Sequence, residues 1–65
     1  IYDEWFFSFF KQVELALKKG GVFFMEGHEN HLDRLSELAG VLSFQKIRIT
    51  KDLSNRDRFL SFEKA

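Results

Sequence analysis

The sequence predicts an α/β chain in the order helix, strand, helix, strand, strand, with both helices on one face of a three-stranded mixed sheet. Three observations carry this. Two stretches, 4–18 and 32–42, repeat apolar residues at helical spacing. Val22-Phe23-Phe24-Met25 is apolar at every position, the pattern of a strand covered on both faces. Phe44-Gln45-Lys46-Ile47-Arg48-Ile49-Thr50 alternates apolar with polar residues, and a polar turn separates it from the second apolar run Phe59-Leu60-Ser61-Phe62.

The first helix is expected from about Glu4 to Lys18, with Asp3 as its cap. Phe6, Phe9, Phe10, Val13, Ala16 and Leu17 make its apolar face. Phe7 and Leu15 interrupt the polar side, where Glu4, Ser8, Lys11 and Lys18 fall. Lys18 and Lys19 suit the negative end of the helix, and Gly20 is placed to stop it. The second helix begins at Asn30 or His31. Its Leu32, Leu35, Leu38, Ala39 and Leu42 form the dry side and Asp33, Arg34 and Glu37 the wet one, with Gly40 a weak point near the end.

Strand order follows from edge protection. Lys46, Arg48 and Thr50 share one side of the strand 44–50, and Lys51 follows; charged side chains of this kind protect an open sheet edge. The strand 58–62 has no such protection. It therefore belongs in the middle, antiparallel to both the strand 22–26 and the edge strand 44–50. A strand, a helix and another strand in sequence imply a right-handed crossover, so the two outer strands run parallel.

Sixty-five residues make one small domain, 1–65, which buries only about 60% of its unfolded surface. With no cysteine, neither a disulfide nor a thiolate metal site reinforces it, and a cytoplasmic setting is expected. Ten Lys plus Arg balance ten Asp plus Glu, which argues against a general nucleic-acid binder or a binder of anionic membranes. Apolar runs are too short to cross a bilayer, and the opening residues lack the basic start and apolar middle of a signal peptide. Nine phenylalanines with no proline imply a core larger than this chain can close around, as in a segment of a larger protein.

Candidate chemistry is sparse. His28 and His31, with Glu26 and Glu29 beside them, offer imidazole and carboxylate, which zinc accepts, but His28-Glu29-Asn30-His31 is one residue short of the His-Glu-x-x-His spacing. Solvated loop and helix-start residues explain them more simply, so no metal site is assigned. Glu26 ends the first strand, at the edge where open α/β sheets place ligands, although a carboxylate there also bonds loop amides. Asp52 reads as a turn-bonding side chain and Asp57 as the ion-pair partner of a nearby arginine, Arg56 or Arg58. Gly20-Gly21 precedes a strand and does not bridge strand to helix, so it makes no nucleotide cradle. No serine, histidine and acid form a nucleophile arrangement. No catalytic and no cofactor-binding residue is assigned.

Several motifs in order, Leu17-Lys18-Lys19-Gly20-Gly21 before an apolar strand, a linking helix, and Lys51-Asp52-Leu53-Ser54-Asn55-Arg56-Asp57-Arg58 in a terminal hairpin, resemble the C-terminal end of the release-factor glutamine methyltransferases. In that family, the PrmC or HemK type, the hairpin reads Lys-Asp-Leu-x-Gly-x-Asp-Arg. Trp5-Phe6-Phe7 falls where the family carries an aromatic pair. Lys19 stands in place of a usual proline, Ser43 in place of a helix-ending glycine, and Asn55 in place of the turn glycine; asparagine tolerates the left-handed backbone that glycine supplies. The corner Glu26-Gly27-His28-Glu29-Asn30-His31 departs further, with the glycine one position early and His31 in place of glutamine.

The resemblance implies the C-terminal part of a Rossmann-like methyltransferase fold whose sheet ends in a reversed strand inserted beside the edge. The whole enzyme would move a methyl group from S-adenosylmethionine to the glutamine amide of the Gly-Gly-Gln motif in peptide-chain release factors. Its glycine-rich cofactor loop has no counterpart here, and its Asn-Pro-Pro-Tyr motif cannot exist in a chain without proline. The segment is thus expected to be inactive scaffold, with Glu26, His28, Asn30 and His31 nearest the cleft, and its partner the N-terminal part of the enzyme. The alternative is a free-standing or engineered mini-domain that associates with a second copy of itself through its sheet face.

Overall fold

A computed structural model describes residues 2–65. Helix α1 spans Tyr2–Ala16, strand β1 Val22–Glu26, helix α2 Leu32–Val41, strand β2 Gln45–Lys51 and strand β3 Asp57–Glu63. The strand order is β1-β3-β2, so the hairpin returns its last strand into the centre of the sheet, as the unprotected apolar run requires. Both hydrogen-bonded pairings are antiparallel, Phe23 facing Phe62 and Met25 facing Leu60 on one side, Ile49 facing Leu60 on the other. The expected mixed sheet is therefore corrected: the outer strands run parallel to each other but never pair, because β3 lies between them.

Both helices pack on the same face. Phe10 of α1, Leu32, Leu35 and Ala39 of α2, Phe44, and Leu60 and Phe62 of β3 are buried together. Phe62 is the hub, its ring centroid 5.1 Å from Phe10, 5.1 Å from Phe23 and 4.2 Å from Phe44. The smallest dimension of the molecule is 15 Å, the depth of one helix layer on one sheet. On the other face Val22 and Phe24 are each 62% exposed, with Phe24 stacked on Phe59 at 5.4 Å. Dry coverage of β1 on both faces, expected from its apolar run, is thus overturned: alternate residues of β1 point to a face that carries no helix among the described residues.

The end signals of α1 differ from the sequence expectation. The helix covers Tyr2–Ala16 and not Glu4 to Lys18, and Asp3 lies inside it, forming an ion pair with Arg34 of α2 through the Nε and Nη2 atoms of the guanidinium. Lys18 and Lys19 lie beyond the helix; the cation at its negative end is Lys64, whose Nζ donates to the carbonyls of Glu14 at 2.7 Å and Leu17 at 3.0 Å. Gly20 takes φ +82° as the chain turns into β1, and its N–H donates to Lys64 O at 2.8 Å. With Lys64 N donating to Gly21 O at 2.9 Å, two backbone bonds and the Lys64 ammonium together join this residue to the end of α1 and the turn after it.

α2 starts where the leucine spacing places it, with His31 as the capping residue and its carbonyl accepting the Leu35 N–H at 3.0 Å. Ser43 leaves this helix at φ 68° and Asn55 turns the hairpin at φ 63°, so both positions that carry serine or asparagine in place of an expected glycine adopt the left-handed backbone. β2 carries a register irregularity between Gln45 and Arg48, where Lys46 has φ 52°. That distortion, with the exposed side chains of Lys46 and Arg48, makes β2 a poor edge for further pairing. Among the described residues no helix is long and apolar enough to cross a membrane.

Candidate functional site

The antiparallel register brings the end of β1 beside the hairpin turn, since Glu26 faces Phe59 and Gly27 N donates to Arg58 O at 2.8 Å. Two segments far apart in sequence, Glu26–His31 and Asp52–Arg58, therefore share one end of the sheet. Gly27 makes the corner possible: a Cβ there would stand 2.8 Å from the Leu32 Cδ2 atom, and Leu32 is fully buried. The glycine that appears one position early in the sequence is thus the one that lets α2 close onto β1.

Asp52 organises the turn. Its Oδ1 accepts the N–H of Ser54 at 2.8 Å and of Arg56 at 3.2 Å, while Oδ2 accepts Arg58 Nε at 3.1 Å. The Arg56 amide, then the Ser54 amide and the Arg58 guanidinium, hold the Asp52 carboxyl below the ordinary aspartate range against an opposing desolvation. The backbone closes on the same residue, with Asp52 N donating to Arg56 O at 2.9 Å and Asn55 N to Asp52 O at 3.0 Å. Asp52 is the turn-bonding side chain that its sequence context implies. Asp57 is a correction: its partner is Lys51 Nζ at 3.1 Å and not an arginine. Arg58 instead bridges the two segments, 3.1 Å from Asp52 and 3.8 Å from Glu26.

His28, Glu29, Arg56, Asp57 and Arg58 line a depression of about 80 Å³ at this end. That is room for waters or a single small group, far short of the ~300 Å³ at which ligand pockets begin. His28 Nδ1 accepts the Asn30 N–H at 3.1 Å, and the His28 and His31 rings lie 5.5 Å apart. Glu26, His28, Asn30 and His31, the near-cleft candidates, are all exposed on one corner. Among the described residues no three His, Asp or Glu side chains form a metal-binding group. The arrangement sets backbone shape and charge.

Sequence reasoning missed two residues that hold this architecture, Lys64 at the end of α1 and Arg34 on Asp3. Each acts on a partner at least 31 residues away, so no local spacing signals it. Gly27 was visible only as a departure from a pattern; its position directly after an apolar strand was the available sign. No protein family matches the chain, and neither a curated protein nor a solved structure does.

Proposed function

We propose that this chain is the C-terminal scaffold of a Rossmann-like S-adenosylmethionine-dependent methyltransferase acting on the glutamine of peptide-chain release factors. The observation that carries the reading is the strand order β1-β3-β2, a reversed strand inserted beside a charged edge, which is how the resembled enzymes end their sheet. Left-handed backbone at Ser43 and Asn55, where those enzymes carry glycine, supports it. So does the exposed face of β1, which a second helix layer would cover in a doubly wound domain. Glu26 and the His28–His31 corner lie at the carboxyl edge of β1, on the side where such a sheet places its ligands.

On this account the 65 residues position no cofactor and carry no catalytic group of their own. The glycine turn and acidic residue that grip S-adenosylmethionine belong to the other half of the domain, and the enzyme works in the cytoplasm. Calorimetry with the cofactor tests the division: the chain alone gives no saturable heat, and binding appears when the N-terminal part of a release-factor glutamine methyltransferase is added. Saturable binding by the chain alone would defeat the scaffold reading. The second reading, a self-associating mini-domain, draws on the exposed Val22 and Phe24, and a stable dimer in sedimentation would favour it.

A further inference from the structure

We propose that the outer edge of β1 is a strand-accepting slot, which takes an extended peptide segment with alternate apolar residues flanked by one base and one acid. The proposal concerns the 65-residue chain by itself; on the methyltransferase reading the same edge is where the next strand of the parent sheet would pair, and the added peptide takes that strand's place.

The backbone shows which groups are available. Gly27 N donates to Arg58 O and Lys64 N donates to Gly21 O, so alternation along the antiparallel pair turns Phe23 and Met25 toward β3. Val22, Phe24 and Glu26 then direct their N–H and C=O groups outward, and β1 pairs with β3 alone among the described residues. An edge of this kind is normally guarded. β2 is guarded, by Lys46, Arg48 and its irregular register, whereas β1 has no bulge, no proline and no charge before Glu26.

The slot also has an apolar wall. α1 packs over this side of the sheet, Phe9 lying 5.9 Å from Phe23, yet Phe9, Val13, Leu17, Phe23 and Met25 are only partly buried, whereas Phe10 and Phe62 are closed off. The apolar layer is unfinished beside β1. Side chains of an added strand that point toward α1 would complete it, which sets the alternate apolar positions of the occupant. Charge sets its ends: Lys18 and Lys19 precede β1, while Glu26 and Glu29 close it. An antiparallel segment would place its basic start beside the glutamates and its acidic end beside the lysines.

The probe is the synthetic peptide Lys-Val-Thr-Val-Thr-Val-Glu, titrated into isotope-labelled chain and followed by amide shifts and hydrogen exchange. Saturable shifts confined to β1 and the facing side of α1, with slowed exchange at Val22, Phe24 and Glu26, are the expected result. A chain made by chemical synthesis with the Phe24 amide N-methylated keeps every bond to β3, because that amide points outward, and should bind about tenfold more weakly or not at all. Lys18→Glu with Lys19→Glu should also weaken binding, in a manner erased by salt. Absence of saturable binding, shifts centred elsewhere, or equal affinity in the N-methylated chain would overturn the proposal.

Discussion

Replacing Phe62 by alanine tests the packing on which every other statement rests. The side chain is 1% exposed and touches aromatic rings from α1, β1 and the β2 approach, so its loss opens a cavity that neighbours from three elements cannot all collapse into. Phe→Ala changes at such sites cost about 3–5 kcal/mol. A chain of this size has a total stability of roughly 3–5 kcal/mol, so the variant should be largely unfolded at 25 °C. Phe24→Ala is the matched control, the same substitution on the opposite face. Its side chain is 62% exposed and, among the described residues, stacks on Phe59, and the loss should be about 1 kcal/mol. Urea titration followed by far-ultraviolet circular dichroism measures both. Equal losses for the two variants, or a larger loss at Phe24, would refute the assignment of inner and outer faces.

Three further outcomes follow from single contacts. Gly40→Ala should stabilise the chain by about 0.5–1 kcal/mol in the same urea titration, because the new Cβ meets only Ile47 Cδ1, at the ordinary contact distance of 3.8 Å, and a helical glycine loses an entropy that alanine does not. Lys64→Met should cost about 1–2 kcal/mol by removing charged hydrogen bonds to the end of α1, with exchange at Val13 and Leu17 amides accelerating before that of β3. Asp52 has a depressed pKa in the folded chain, so its contribution is fully present above the unfolded value of about 3.9 and is lost as pH falls through the lower folded value. Asp52→Asn should therefore flatten the acid limb of the stability profile, measured by thermal melts from neutral pH downward.

The parts of the fold that were legible are those governed by local chemistry. Lysines on one strand and none on another indicated which strand lies outside, leucine spacing indicated α2, and the polar turn between two strand patterns indicated the hairpin that Asn55 closes. What escaped the sequence depends on distant partners. Asp3 looks like a cap until Arg34 arrives from the second helix, and Lys18 and Lys19 look like the cations of α1 until Lys64 returns from the chain's end. The open sheet face follows from placing both helices on one side, whereas the apolar run of β1 taken alone suggested cover on both sides; Val22 and Phe24 remain exposed. At the candidate site the residues were identifiable, but their convergence was not, since Glu26 and Arg58 meet only through the pairing of β1 with β3.

We propose that these 65 residues form the scaffold end of a glutamine methyltransferase, and a chimera is the sharpest experiment on that proposal. The chain would replace the C-terminal segment of a release-factor glutamine methyltransferase, and transfer of labelled methyl from S-adenosylmethionine to a release factor carrying Gly-Gly-Gln would be measured. The chimera should fold and methylate the glutamine at a rate comparable to the intact enzyme, and that rate should collapse with Gly27→Val, which drives α2 off β1. A chimera that folds and binds the cofactor yet leaves the glutamine unmodified would contradict it.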